Sequence, residues 1–550
     1  MVGTTVVALS GAVTMGLPVN QPILVSFSSA LDITTIPSSI TIKDSILLVA
    51  VDYSYTDNNK TVSIQPKQPL ANNTQYTVSI TTQIKGANKE EFPGLSVDFK
   101  TIAGQLSILS YKVGGQLITT NNRIINVPLS LSFEIDFSAP LNPATVTNNT
   151  VSIAGPDNTV PVFTFSADKK TLTITRTAPL LYLSKYTITV TTAVKGAAGE
   201  VFNKFSQDFF TGLGGHTSGK PAKTDTELLD LIQQLTFQYF WNTTQNGAGG
   251  HPASGMARER NTSGNTVTTG GSGFGIMAVI VGVERGFITR TEGIARIKQI
   301  VSFLEKADRF HGAWGHWMDG NTGHIIPFSP NDDGGDLVET SFLMEGLITF
   351  RQYLTNSDTT GNNLINRITN LYNTVEWDWY RNGGQNVLYW HWSPDKAWIM
   401  NFPLYGYFEE QITYFLAAAS PTHSIPKVVY ANGYGLNGNI KNGNTFTFGG
   451  EGHVLPLADP APLFWVQYSY MGMDPHFTDD YANYWTQNVN ASLINHAYCK
   501  ANPDYYAGYS DACWGLTASD NPNAMAHNPW ATIMAPSHRR RHYHHFPTRR

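Results

Sequence analysis

Five carboxylates crowd fourteen residues of the stretch Asn331–Arg351: Asp332, Asp333, Asp336, Glu339 and Glu345. They stand where an apolar helical pattern begins. At 100° per residue, a helix reaching back to Asp332 would bring Asp332, Asp336 and Glu339 into one narrow sector and turn Glu345 away. Carboxyl groups fixed on a rigid element beside a cleft suit general acid and base chemistry of the kind a glycosidic bond requires. A second reading is structural. Asp336-x-x-Glu339, just after Gly334-Gly335, also reads as a helix N-cap with its N3 partner, a variant of the capping box. The two readings are compatible, because a capping carboxylate is already aimed at a helix end.

The bulk numbers narrow the setting. A chain of 550 residues carries several domains. Hydrophobic residues make up 41%, charged ones only 14% and aromatics 12%, with 12 Trp and 25 Tyr. Such a balance suits an extracellular or periplasmic protein that handles sugars, since aromatic faces stack on pyranose rings. The net charge of −5, with no basic stripe before the C-terminal tail, argues against nucleic acid. Cys499 and Cys513 are the only cysteines; a disulfide and two buried thiols both remain open. The opening MVGTTVVALSGAV has neither a charged n-region nor a sustained apolar core, so any export signal or anchor is expected upstream.

Residues 1–212 repeat with an offset of 110: Val25–Leu31 answers Ile135–Leu141, Tyr76–Ala87 answers Tyr186–Ala197, and Val97–Thr101 answers Gln207–Thr211. Short alternating runs of Val, Ile and Thr separated by Asn, Pro, Gly and Asp predict two β-sandwiches, at 1–102 and 103–212. The repeat resembles bacterial Ig-like domains, through the Tyr-x-x-x-x-Thr-Thr strand and the Lys85-Gly86 and Lys195-Gly196 turns. Neither copy clusters acids or histidines at ligand spacing. Both read as spacers or docking modules.

Gly212–Lys223 reads as a linker (213–223 as a domain boundary). Helical periodicity follows it. Capping boxes at Thr224-x-x-Glu227 and Thr289-x-x-Glu292 start two helices, and others are expected at about Gly273–Arg285, from the acidic stretch to Leu354, through Ile365–Val375, at Glu409–Ala419 and at Asp479–Lys500. Long aromatic and Gly-rich loops (His311–Asp333, Asn382–Pro403, Tyr430–His476) separate several of them. This predicts an array of helical hairpins with its site on the loop side. An EF-hand does not fit DDGGDLVE, and neither a phosphate loop nor a nucleophile elbow is present; no metal and no cofactor are expected.

Taken together, Phe237–Trp241, Gly255–Arg260, Gly271–Arg290, Gly312–Asp319, Asp332–Leu347, Tyr405–His423 and Cys513–Pro522 resemble the glucoamylase-like family. Its characterised members include bacterial endo-β-1,2-glucanases on an (α/α)6 toroid. The resemblance implies a multidomain protein, with two all-β Ig-like sandwiches followed by an all-α (α/α)6 toroid over 224–529. It implies an endo-acting, inverting glycoside hydrolase of β-1,2-glucan. The alternatives are an exo-acting glucosidase, a glucanase of another linkage on the same toroid, or a non-catalytic glycan-binding surface protein. A monomer with a glucan or oligosaccharide partner is expected, exported to the periplasm or cell surface. The family's essential acids match Asp332, Asp336, Glu339 and Glu409. The family's usual Gly-Tyr-Asn-Glu is here Gly406-Tyr407-Phe408-Glu409, which keeps the acid and loses the Asn.

Glu409 is expected as general acid, with the Asp336/Glu339 pair activating water. Arg258 and Arg260 are candidates for holding a carboxylate or a sugar hydroxyl, or a structural ion pair. His316, Trp317, Trp390, Trp392, Trp398 and Trp465 are candidate substrate-binding groups, each with core packing as its competing reading. The basic, His-rich tail 530–550 breaks with all this. Codons permitted for Ala531–Arg550, read two nucleotides on, give DNNGTIAPTAALSSFPYTP, which is like the family's segment there. A frame shift near Trp530 is therefore expected, with a toroid incomplete at its C-terminus.

Overall fold

A computed structural model describes residues 13–157, 159–212, 223–242, 255–260, 262–354 and 361–517. Residues 213–222 of the expected linker and the whole 530–550 tail lie outside them. The chain divides into two compact units, one running to His216 with the short segment Asp504–Gly508, the other holding the rest.

The first unit contains the two expected β-sandwiches. In the first copy a four-stranded sheet (Thr14–Leu17, Leu95–Thr101, Gln75–Ile80, Ile40–Lys43) faces a three-stranded one (Ile23–Ser26, Thr61–Pro66, Val51–Thr56). The second copy repeats the four-stranded sheet with Ile124–Val127, Phe205–Thr211, Lys185–Val190 and Val151–Ala154, and faces it with a five-stranded sheet. Strict alternation explains the layering: Tyr76, Val78 and Ile80 are buried, as are Tyr186, Ile188 and Val190. The 110-residue offset is also conformational. Tyr76 stacks on Phe99 and Tyr186 on Phe209, both at 5.7 Å. Each tyrosine hydroxyl accepts the N–H five residues upstream, from Ala71 at 2.9 Å and from Leu181 at 3.0 Å.

In the second unit we label the helices α1 (Asp225–Asn242), α2 (Thr269–Glu284), α3 (Arg290–Leu304), α4 (Leu337–Tyr353), α5 (Gly361–Asn373), α6 (Gln411–Ala419) and α7 (Tyr484–Ala501). Helices α2, α4 and α6 pack side by side, and α1, α3 and α5 lie against them. This is the two-layered hairpin array expected of an (α/α) toroid. The capping box at Thr289 and Glu292 is formed in full, and Thr224 and Glu227 exchange the same pair of bonds.

Four expectations need correction. Helix α6 begins at Gln411, two residues late, so Glu409 lies in the preceding turn. Helix α7 begins at Tyr484 rather than Asp479, because Asn483 caps it through the Thr486 N–H at 2.8 Å. Tyr430–His476, expected as one long loop, holds the antiparallel hairpin Lys441–Phe448/Glu451–Leu457 and short helical turns; the hairpin packs on α7. Its strands alternate weakly and turn at Gly449-Gly450, both at positive φ. Both cysteines are free thiols, Cys499 buried in α7 and Cys513 exposed, so neither a disulfide nor a buried pair exists.

Candidate active site

The helix does not reach back to Asp332. Asp336 is the N-cap of α4, in extended conformation, and its Oδ1 accepts the Glu339 N–H at 2.9 Å. The capping reading therefore holds, with one difference. Glu339 does not return to the cap; it crosses to α2, where its Oε2 accepts the Gly270 N–H at 2.7 Å. A helix N-terminus favours a carboxylate there. Glycine makes the crossing possible. A Cβ on Gly273 would stand 2.0 Å from the Phe342 carbonyl oxygen, and one on Gly346 would stand 2.2 Å from that of Gly273, so α2 and α4 meet backbone to backbone.

The Gly334-Gly335 pair has a similar cause. Added Cβ atoms would strike the Trp392 carbonyl at 2.1 Å and the Tyr380 hydroxyl at 2.0 Å. That close approach lets Gly335–Asp336 pair with His391–Trp392, setting Asp336 opposite His391. His391 Nδ1 lies 3.3 Å from Asp332 Oδ1 and 3.8 Å from Asp336 Oδ2. His316 approaches from the other side, its Nδ1 2.9 Å from Asp336 Oδ2 and its Nε2 4.0 Å from Glu339 Oε1. Asp332, Asp336 and Glu339 thus converge around two histidines. Asp332 and Asp336 are buried, while the Glu339 side chain keeps 15% of its surface exposed.

The charges set one another. Burial works against a charged His316, but Glu339, Asp336 and Asp332 outweigh it and push the imidazole up to about 10, so it is a cation at neutral pH. Burial would raise Asp336; the His316 hydrogen bond and the His391 and His316 charges instead hold it below the usual aspartate value. Burial raises Glu339, with Asp336 adding to the rise and His316 opposing it. Glu409, half-buried in its turn, is pushed up to about 8 by burial and then by the negative charges of Glu339 and Asp336, with His316 opposing. Residues some seventy positions apart share one field. Tyr468 joins it, its hydroxyl raised to about 12 by burial and by Glu409 and Glu339.

The remaining candidates are placed as follows. Trp317 pairs with Thr268 in a short sheet, and its ring packs on Phe328 at 4.7 Å beside His316. Trp390 lies parallel to His391 at 5.5 Å, and Trp465 meets Phe408, next to Glu409, at 5.0 Å. Trp317 and Trp390 thus touch the two histidines of the acid cluster, and Trp465 touches the residue before Glu409. Trp392 packs edge-on to His311 and Trp379, and Trp398 edge-on to Tyr380 and Tyr389. The Arg260 guanidinium pairs with its neighbour Glu259, Nε to Oε2 at 2.6 Å. Arg258 bridges Val267 through its backbone. Ligand-capable atoms of His316, Asp332 and Asp336 lie within 4.8 Å of one another. Within that group His316 and Asp336 are joined by a charge-assisted hydrogen bond. Sequence reasoning missed His391, Gly270 and Tyr468. His391 lies in the Asn382–Pro403 loop of the sequence reading and its pairing with Asp336 comes from a strand contact across 55 residues, so no local signal marks it.

A family described as "Putative glucoamylase" matches residues 401–546, and a "Bacterial Ig-like domain" family matches 3–101 and 117–211. The chain is 49% identical to an endo-β-1,2-glucanase structure from Chitinophaga pinensis (TM-score 0.51), over 55% of this chain and 73% of that one. A β-1,2-glucanase structure from Parabacteroides distasonis matches at 30% identity (TM-score 0.51), over 92% of this chain and 73% of that one. The exo β-1,2-glucooligosaccharide sophorohydrolase (non-reducing end) of Parabacteroides distasonis is 45% identical over 316 residues, 54% of this chain. The match spans 43% of that curated relative's length.

Proposed function

The chain belongs to the glucoamylase-like family that includes β-1,2-glucanases, with bacterial Ig-like domains ahead of the helical unit, and on that premise we propose that it hydrolyses β-1,2-linked glucan. The observation that carries the reading is Glu409, a carboxyl kept protonated to about pH 8 partly by the charges of Glu339 and Asp336. A carboxyl that keeps its proton in the field of an aspartate held in its ionised form divides the labour of glycoside hydrolysis. Glu409 donates its proton to the departing glycosidic oxygen. Asp336 has its oxygens committed to the Glu339 N–H and to His316, so it orients and charges the cluster. Glu339 is left with Oε1, 4.0 Å from the His316 cation, as the oxygen to activate water. Inversion requires about 6.5–9.5 Å between the acid and base carboxyls. Trp317, Trp390 and Trp465 offer stacking faces for sugar rings.

Within that class, exo action is the better supported of the two modes. The curated relative, 45% identical over 316 residues, is named as exo-acting from the non-reducing end. A product profile on linear β-1,2-glucan decides: a single short product from the start means exo, a ladder means endo. Glu409→Gln is expected to lower kcat about 10²–10⁴-fold while leaving glucan retention in affinity electrophoresis intact. Wild-type protein that binds the glucan without turning it over would overturn the hydrolase reading in favour of a binding module.

A further inference from the structure

Helix α6 starts without help from its own sequence. Its N-cap, Glu410, makes no side-chain cap bond, and the turn that presents Glu409 is held from elsewhere. The Ser469 hydroxyl donates to the Glu409 carbonyl at 2.7 Å and accepts the Ile412 N–H at 3.1 Å. It thereby closes the helix end from some sixty residues away, and Ser469 is only 3% exposed. Its neighbours are anchored as firmly. The Tyr468 ring packs on Phe274 of α2 at 4.5 Å and on Phe342 of α4 at 5.5 Å. The Tyr470 hydroxyl donates to Gln411 Oε1. The Gly472 N–H donates to Glu345 Oε1 at 2.8 Å, an approach a side chain would block, since a Cβ there would lie 2.8 Å from Glu345 Cγ. Glu345 rides on α4, the helix that carries Asp336 and Glu339 at its start.

We propose that Tyr468–Gly472 is a strap that sets where the Glu409 carboxyl stands relative to the α4 acids, with Ser469 as the positioning residue. The inference rests on the reading of Glu409 as the acid. The physical reason is the narrow tolerance of the reaction. About 6.5–9.5 Å between carboxyls admits a water and about 5–5.5 Å does not, so displacement by an ångström is felt in the chemical step. A bond to the Glu409 main chain is the direct means of holding that gap. The unpaired N-cap means that the local sequence supplies no substitute.

The experiment compares wild type with Ser469→Ala, Ser469→Thr and Gly472→Ala on linear β-1,2-glucan. Ser469→Ala is expected to lower kcat 10–100-fold with KM within twofold. Its alkaline limb moves to lower pH, as a loosened turn lets water reach Glu409. Ser469→Thr restores the hydroxyl and most of kcat. Infrared difference titration of the Glu409 carboxyl, read against Glu409→Gln, needs no turnover and should show its midpoint fall in Ser469→Ala and in Gly472→Ala. An unchanged midpoint in both variants overturns the strap. Wild-type protein without turnover overturns the functional reading alone, because the titration still decides the strap.

Discussion

His316 stands 2.9 Å from Asp336 and 4.0 Å from Glu339, and its charge acts on the ionisation of Asp336, Glu339 and Glu409. Glu409 must keep its proton, which it does to about pH 8, so kcat/KM should fall as pH rises through that value. Glu339 must be ionised to activate water, and burial raises it above the ordinary glutamate value while the His316 charge opposes the rise. The acid limb should therefore follow Glu339 and lie above that value; Asp336, held below the ordinary aspartate range, is ionised before it. Removing the cation acts on all three groups in the same direction. In His316→Gln, Asp336 and Glu339 lose the charge that favours their ionised forms and titrate higher, and Glu409 loses the only charge opposing its rise. Both limbs of the kcat/KM profile should therefore move to higher pH, measured from pH 4 to 10. A profile that only loses height would mean that the imidazolium does not tune these groups.

At the scale of elements, the site depends on how closely two helices cross. Gly273 and Gly346 let α2 and α4 touch, which presents the Gly270 N–H to Glu339. Gly273→Ala would force a methyl within 2.0 Å of the Phe342 carbonyl oxygen, and overpacking of that kind costs about 1–3 kcal/mol. The expected outcome is a lower urea midpoint for the helical unit together with reduced kcat, as Glu339 loses its donor. The acids were legible in the sequence because their signal is local: Asp336 and Glu339 fall at cap spacing after two glycines, ahead of an apolar run. The helices were legible from period and capping boxes, and the sandwiches from alternation and repeat. The ends of α6 and α7 were not, since the side chains that fix them, Ser469 and Asn483, leave no periodic trace. Gly270 and Ser469 carry no local signal at all. Their partners lie 69 and 60 residues away and exist only once the helices have packed.

For the molecule as a whole, two separately packed units mean that one protein carries two stabilities, and the reach of an unfolding event is set by the unit in which it occurs. The free thiols make one of those stabilities measurable. Cys499 is fully enclosed in α7 and pushed up to about 11 by burial, while Cys513 is exposed in the same helical unit. A thiolate rather than a thiol attacks an alkylating or disulfide reagent. One sulfhydryl should therefore be modified quickly under native conditions and the second only when α7 opens. Counting thiols against time in rising urea would show a second equivalent appearing with the loss of helical circular dichroism; simultaneous reaction of both in native buffer would mean that Cys499 is not enclosed. The chain thus carries its own chemical clock for the opening of the toroid, with an internal standard at Cys513, and no residue need be introduced to read it.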